Sequence, residues 1–358
     1  MSLLFKATSV GPLALQNRLV MAPLTRCRAL GNVPNELMAQ YYAQRASAGL
    51  IISEGTSPSP NGLGYARIPG IFSDAQVAGW KRIADAVHAR GAKMFVQLMH
   101  CGRIAHVLNL PAGARVLAPS AVQAAGEMWT DAQGMQLNAI PQAMTEADMR
   151  ATLGEFVQAA RNALVAGLDG VELHGANGYL LEQFIRPNSN QRTDGYGGAI
   201  ANRARYVLEV VDAVVGAVGK EKVGIRLSPF GVASDMPIYP AMETDYTFLA
   251  QQLNNRVAYI HLVDHSALGA PPVPDSMKAT FRSEFKGTLI MCGGYDAVRA
   301  QSDVAAGKCD LIAAGRPFLA NPDLVARWKS GAAVNAPDAN TFYTPGPEGY
   351  TDYPALGG

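Results

Sequence analysis

Charge is scarce in this chain, and what there is nearly cancels. Charged residues fill 16% of 358 positions and the formal net charge is +1. Neither a solvated, disordered chain nor a basic face for nucleic acid is expected from that balance. Cysteine is sparse too. Cys27, Cys101, Cys292 and Cys309 show no CxxC or zinc spacing, so neither a disulfide framework nor a structural metal is expected. No apolar run reaches 18 residues, and the apolar part of residues 1–11 is short and broken by Lys6. No membrane span or signal peptide is expected, and the expected location is cytoplasmic. The first strand-like segment is followed by Pro23-Leu24-Thr25-Arg26 rather than GxGxxG, which disfavours a Rossmann domain. No His-x-His follows it either, so the signature of a metal-dependent hydrolase barrel is missing.

What the chain does have is apolar substance, 49% of it, cut into short runs. Eight of them read as strands: 17–22, 50–54, 93–99, 168–173, 222–227, 257–263, 288–292 and 309–313. Helical segments intervene at 34–47, 74–90, 145–167 and 199–218, with others starting at Glu243, Tyr295 and Asn321, and a short helical piece near Gly178. Over 145–167 the signal is explicit. Thr145 and Asp148 make a capping-box pattern, Met149, Leu153, Phe156, Val157, Ala160 and Leu164 fall at helical spacing, and Gly167 ends the run. Strand and helix alternating eight times predict an α/β protein, a single (β/α)8 TIM barrel spanning 1–358. The rhythm lapses over 100–143, which predicts a lid-like insertion after strand three, with 115–117 and 135–137 paired as a hairpin.

In a barrel, chemistry belongs to the C-terminal strand ends. There the sequence places Thr25 after strand one, Gln97 on strand three, Arg226 on strand five, Gly293-Gly294 after strand seven and Gly315-Arg316 after strand eight. After strand four, Val171-Glu172-Leu173-His174-Gly175-Ala176-Asn177-Gly178-Tyr179-Leu180 brings an imidazole, an amide and a phenol to one mouth. Each piece also has an ordinary reading. His174 and Asn177 would cap a turn, Gln97 would satisfy backbone groups, Arg226 would sit in an internal ion pair, and the glycines would merely turn the chain. Together, the glycines and Arg316 predict a phosphate site after strands seven and eight. Gln97, Arg226 and Thr25 suit a planar, imide-bearing ring such as isoalloxazine. A Schiff-base aldolase would need a lysine at a strand end, whereas Lys93 and Lys222 stand at strand starts. A flavin-storage protein would have no use for Tyr179 beside an oxygen-binding pair.

These residues carry a resemblance along nearly the whole chain. Met21-Ala22-Pro23-Leu24-Thr25-Arg26, Leu50-Ile51-Ile52-Ser53-Glu54-Gly55, Gln97-Leu98-Met99-His100, His174-Gly175-Ala176-Asn177-Gly178-Tyr179, Gly224-Ile225-Arg226, Gly315-Arg316-Pro317 and Gly349-Tyr350-Thr351-Asp352-Tyr353-Pro354 resemble the Old Yellow Enzyme family of FMN-dependent ene-reductases. The likeness looks closest to its bacterial N-ethylmaleimide and pentaerythritol tetranitrate reductases. The resemblance implies non-covalent FMN, with NADPH or NADH as reductant. Ala22, Pro23, Leu24, Thr25, Gly55, Gln97 and Arg226 would hold the ring, and Cys292, Gly293, Gly294, Gly315 and Arg316 the phosphate. His174 and Asn177 would bind a carbonyl or nitro oxygen and Tyr179 would give the proton, with Tyr65, Met99 and Tyr350 lining the pocket. Enones, maleimides and nitro compounds are the implied substrates, ping-pong kinetics the implied regime, and a monomer or homodimer the expected state. Met99 stands where close relatives carry tryptophan, so a wider, softer pocket is expected there. Cys27, beside Thr25, is expected to be packing.

Overall fold

Short strands with side chains alternating between two apolar layers dictate the architecture. The structure is a computed structural model that describes residues 2–357. Eight parallel strands close on themselves in sequence order: β1 (Leu19–Met21), β2 (Leu50–Thr56), β3 (Lys93–Leu98), β4 (Gly170–Gly175), β5 (Val223–Leu227), β6 (Tyr259–Val263), β7 (Thr288–Cys292) and β8 (Leu311–Ala314). Along β4, Val171 and Leu173 face the helices. Along β6, Ile260 and Leu262 do the same. The alternate residues face inward: Val20, Leu50, Ile52, Phe95, Tyr259, Ile290 and Leu311 fill the lower interior, as period-two strands require. Gly224 of β5 has no side chain because the Tyr259 ring occupies that space.

The interior changes character toward the C-terminal ends. Register sets Glu172 between Gln97 and Gly224, and Arg226 between His174 and His261. Inward positions there are polar, while the opposite end is sealed with hydrocarbon. The seal is an antiparallel hairpin, Thr8–Val10 with Leu13–Leu15, whose Val10 and Leu15 join the inner cluster. The sequence gives no strand signal over these residues. Three-residue strands carry too little period to be seen before the barrel that they close is known.

One expectation needs correction. Residues 115–117 and 135–137 do not pair. Gly134–Leu137 folds back on Glu127–Thr130, while Leu117–Ala118 pairs in parallel with Gln142–Ala143. Closing a three-residue turn costs less chain entropy than reaching across some twenty residues, and Gly134, at φ 69°, supplies the left-handed residue that such a turn needs. The helix Asp275–Glu284, between β6 and β7, was also missed. The helix Glu146–Val165 does start at the Thr145–Asp148 capping box.

Candidate active site

A cavity of about 1070 Å³ opens at the C-terminal ends of the strands. Ala22, Pro23, Leu24 and Thr25 line it past β1, Gly55 from β2, Gln97 from β3 and His174 from β4. Asn177 and Tyr179 follow in the next turn, with Arg226 from β5, Cys292, Gly293 and Gly294 at the end of β7, and Gly315 and Arg316 after β8. A β2 irregularity between Ile52 and Gly55 delivers the Gly55 backbone to this rim. Residues up to 294 positions apart in sequence, Ala22 and Arg316, thus meet around one space.

The floor is a hydrogen-bonded chain. Gln97 Nε2 donates to Glu172 Oε1 at 2.7 Å, and Glu172 Oε2 lies 2.9 Å from His261 Nδ1. That fixes the Gln97 amide, with its oxygen left free. Burial by itself would lower the His261 pKa, and the Glu172 carboxylate turns the shift upward. Beside them Arg226 is buried, with no ion pair among the described residues. Its Nη2 donates to Cys292 Sγ at 3.8 Å, and its Nε has no partner. Arg226 is therefore not part of an internal salt bridge. Arg226 lines the cavity and keeps a buried donor unpaired, the arrangement of a group reserved for a ligand.

The opposite wall comes from one turn. His174 is buried and its Nδ1 has no protein partner. Burial, and then the Arg226 charge, hold its pKa well below 6.5, so the imidazole is neutral. Asn177 sits at φ 60°, a left-handed conformation that asparagine tolerates. Its N–H donates to Ser228 Oγ at 2.9 Å, and its Oδ1 lies 2.7 Å from His265 Nε2. Asn177 thus pairs with His265 and not with His174. The Tyr179 ring stands edge-on to His174, centroids 4.9 Å apart, and its hydroxyl meets that of Tyr65 at 2.9 Å. Burial raises the Tyr179 pKa, so the phenol keeps its proton.

Two residues expected in the pocket lie outside it. Met99 bonds through its N–H to the Thr56 carbonyl and packs with Cys27, Leu63, Ile68, Cys101 and Ile104. Its thioether fills the room left by the missing side chain of Gly55, so Met99 backs the wall instead of softening the pocket. Tyr350 is buried against Tyr41, rings stacked at 3.9 Å, with the guanidinium of Arg28 4.6 Å from its centroid. Cation–π contact holds it behind the wall. The C-terminal segment instead presents Phe342, Tyr343, Thr344 and Pro345 to the cavity. Sequence reasoning also missed His265, Ala267 and Leu268 after β6, and Met128, Trp129 and Met135 from the insertion. His265 stands just past a strand end, a signal that could have found it; the insertion residues carry no comparable one. Cys27 does reach the cavity, but burial raises its thiol to about 12 and keeps it unreactive.

The model of the NADH:flavin oxidoreductase / NADH oxidase family matches residues 3–335. The chain belongs to this family, the Old Yellow Enzymes. Old Yellow Enzymes similar to it include 12-oxophytodienoate reductase 1 of Oryza sativa subsp. japonica, 42% identical over 97% of this chain and 91% of that protein. A probable flavin mononucleotide-dependent alkene reductase of Leishmania infantum is 41% identical over 99% and 97%. Among solved structures, morphinone reductase superposes with a TM-score of 0.95 at 45% identity, covering 99% of this chain and 96% of that one. The same enzyme has been solved with tetrahydroNAD, TM-score 0.93 at 45% identity over 99% and 97%. The chain is accordingly an oxidoreductase of the FMN-dependent alkene-reductase type that uses a nicotinamide reductant.

Proposed function

We propose that this protein reduces the activated C=C bond of α,β-unsaturated carbonyls, maleimides and nitro compounds, with NADH or NADPH as electron source and Tyr179 as proton donor. The observation that carries the reading is the wall around Tyr179. A phenol kept protonated by burial stands against a neutral, unpartnered His174 in the cavity that holds Gln97 and Arg226.

The residues present fit FMN. The orphaned Arg226 Nε and the free oxygen of the anchored Gln97 amide suit a ring edge carrying carbonyl and imide groups. Ala22, Pro23, Leu24, Thr25 and Gly55 would complete the ring site. Backbone at Cys292, Gly293, Gly294 and Gly315, with the Arg316 guanidinium, would hold the phosphate. The chemistry that FMN supplies when bound is hydride transfer.

The chain's own residues then have distinct tasks. His174 and Asn177 donate to the substrate's carbonyl or nitro oxygen and draw electron density from the double bond. Each such donor contributes roughly 3 kcal/mol to the transition state by the usual worth of an oxyanion contact. Tyr179 delivers a proton to the α-carbon as hydride reaches the β-carbon. Tyr65 orients the Tyr179 hydroxyl. Reductant and substrate share one cavity, which favours ping-pong kinetics. Residues 100–143 act as a partial lid, since Met128, Trp129 and Met135 line the cavity, and the chain, 1–358, forms one functional domain.

Tyr179→Phe tests the assignment. Reoxidation of the reduced holoenzyme by cyclohexenone should slow roughly 100-fold, the usual worth of a general acid, while reduction by NADH or NADPH stays nearly intact. Equal loss in both half-reactions, seen by stopped-flow absorbance, would make Tyr179 structural.

A further inference from the structure

A primary amide is nearly symmetric in shape, yet its two ends are opposite in chemistry. Asn177 can hold a substrate oxygen only if Nδ2 faces the cavity. The turn itself fixes the backbone and leaves this choice open. The Asn177 N–H is tied to Ser228 Oγ, and that hydroxyl donates in turn to the Glu182 carboxylate at 3.1 Å. Neither bond reaches the side chain. The group that does is His265, whose Nε2 lies 2.7 Å from Asn177 Oδ1.

We infer that His265 is a positioning residue: its Nε2–H engages Asn177 Oδ1 and so turns the Nδ2 donors toward the substrate oxygen. This rests on the proposed role of Asn177 as an oxygen-binding group. An amide oxygen only accepts, so the ring nitrogen facing it carries the hydrogen. With the hydrogen on Nε2, rotating the amide by half a turn would set Nδ2–H against Nε2–H, two donors, and would aim the amide oxygen at the substrate oxygen. In that tautomer the imidazole selects one of two otherwise similar rotamers.

The loop that carries His265 is braced for this task. Asp264 Oδ1 accepts from the Ser266 N–H at 2.9 Å, and Asp264 Oδ2 lies 2.9 Å from Lys278 Nζ on the helix Asp275–Glu284. The ring is half-buried on the cavity wall. Burial, and then the Arg226 charge, hold its pKa at about 4. The ring is therefore neutral through the neutral range, and its contact with the Asn177 amide oxygen calls for the tautomer with the hydrogen on Nε2.

The test is a double-mutant cycle on the oxidised holoenzyme. Cyclohexanone, which offers the oxygen without a reducible double bond, is titrated through the change in flavin absorbance. His265→Leu should weaken binding roughly five- to tenfold, the usual worth of one such hydrogen bond. Asn177→Ala should weaken it as much, and His265→Leu should add nothing on the Asn177→Ala background. His265→Gln, which restores an N–H donor, should recover most of the affinity. Three results overturn the proposal: binding by His265→Leu within about twofold of the parent, an equal loss on both backgrounds, or no rescue by His265→Gln. Should Asn177→Ala itself bind cyclohexanone like the parent, the role of Asn177 falls, and that of His265 with it. A weak Asn177→Ala beside a parent-like His265→Leu overturns the His265 assignment alone.

Discussion

Asn177 differs from a second histidine in one respect that matters at the residue scale: an amide does not titrate. Its neighbours are also silent over the working range. His174 is held well below 6.5 and His265 at about 4, in both cases first by burial and then by Arg226. A lowered imidazole pKa leaves the neutral form in place at every pH above it. Carbonyl affinity in the parent should therefore vary less than about twofold between pH 5 and 9. Asn177→His would introduce an imidazole against His265. Its affinity should rise as pH falls through the new group's pKa, because the charged ring donates more strongly. Cyclohexanone titrations of both proteins at several pH values check this, and a parent with the steeper dependence would refute it.

At the scale of elements, the C-terminal segment shows how a wall is built from loop and a single 3-10 turn, Ala339–Thr341. Its carbonyls are held by buried arginines from a distant part of the chain. Arg28 donates to the carbonyls of Thr341, Phe342, Gly346 and Glu348, and Arg26 to those of Phe342 and Gly349. The forked guanidinium serves several acceptors at once, which one ammonium cannot do. Arg28→Ala would leave buried acceptors unpaired, at about 1–3 kcal/mol each. It should lower the thermal midpoint, open residues 338–350 to limited proteolysis and weaken cyclohexenone binding, because Phe342 and Tyr343 line the cavity. Arg28→Lys should rescue little. An unchanged cleavage pattern in Arg28→Ala would show that the segment is held by other contacts.

Across the whole molecule the two ends of the barrel do different work. Val10 and Leu15 close one end with hydrocarbon, while Gln97, Glu172, His174, Arg226 and His261 make the other polar. A charge placed in the plug should therefore cost stability without touching the site. Val10→Asp buries a carboxylate without a partner and should destabilise by at least about 3 kcal/mol. Below its lowered unfolding midpoint, it should keep the parent's flavin spectrum and cyclohexanone affinity. A loss of affinity in the folded variant would mean that the two ends are coupled.

The amino-acid sequence by itself determined the barrel, because eight apolar runs with helices between them admit few closed arrangements. It also determined which strand ends carry polar groups, since period-two alternation sends Gln97, His174 and Arg226 to the same side. Only the tertiary structure decided what stands next to what. Met99 shares a motif with Gln97 of the cavity wall and Tyr350 follows the lining stretch Phe342–Pro345, yet both sit one layer behind the wall: Gly55 makes room for a thioether, and Arg26 and Arg28 capture a phenol ring. His265 lies 88 positions from Asn177, and no local pattern joins the two. That bond exists because β4, β5 and β6 are neighbours in a closed sheet, and the orientation of the Asn177 amide depends on it.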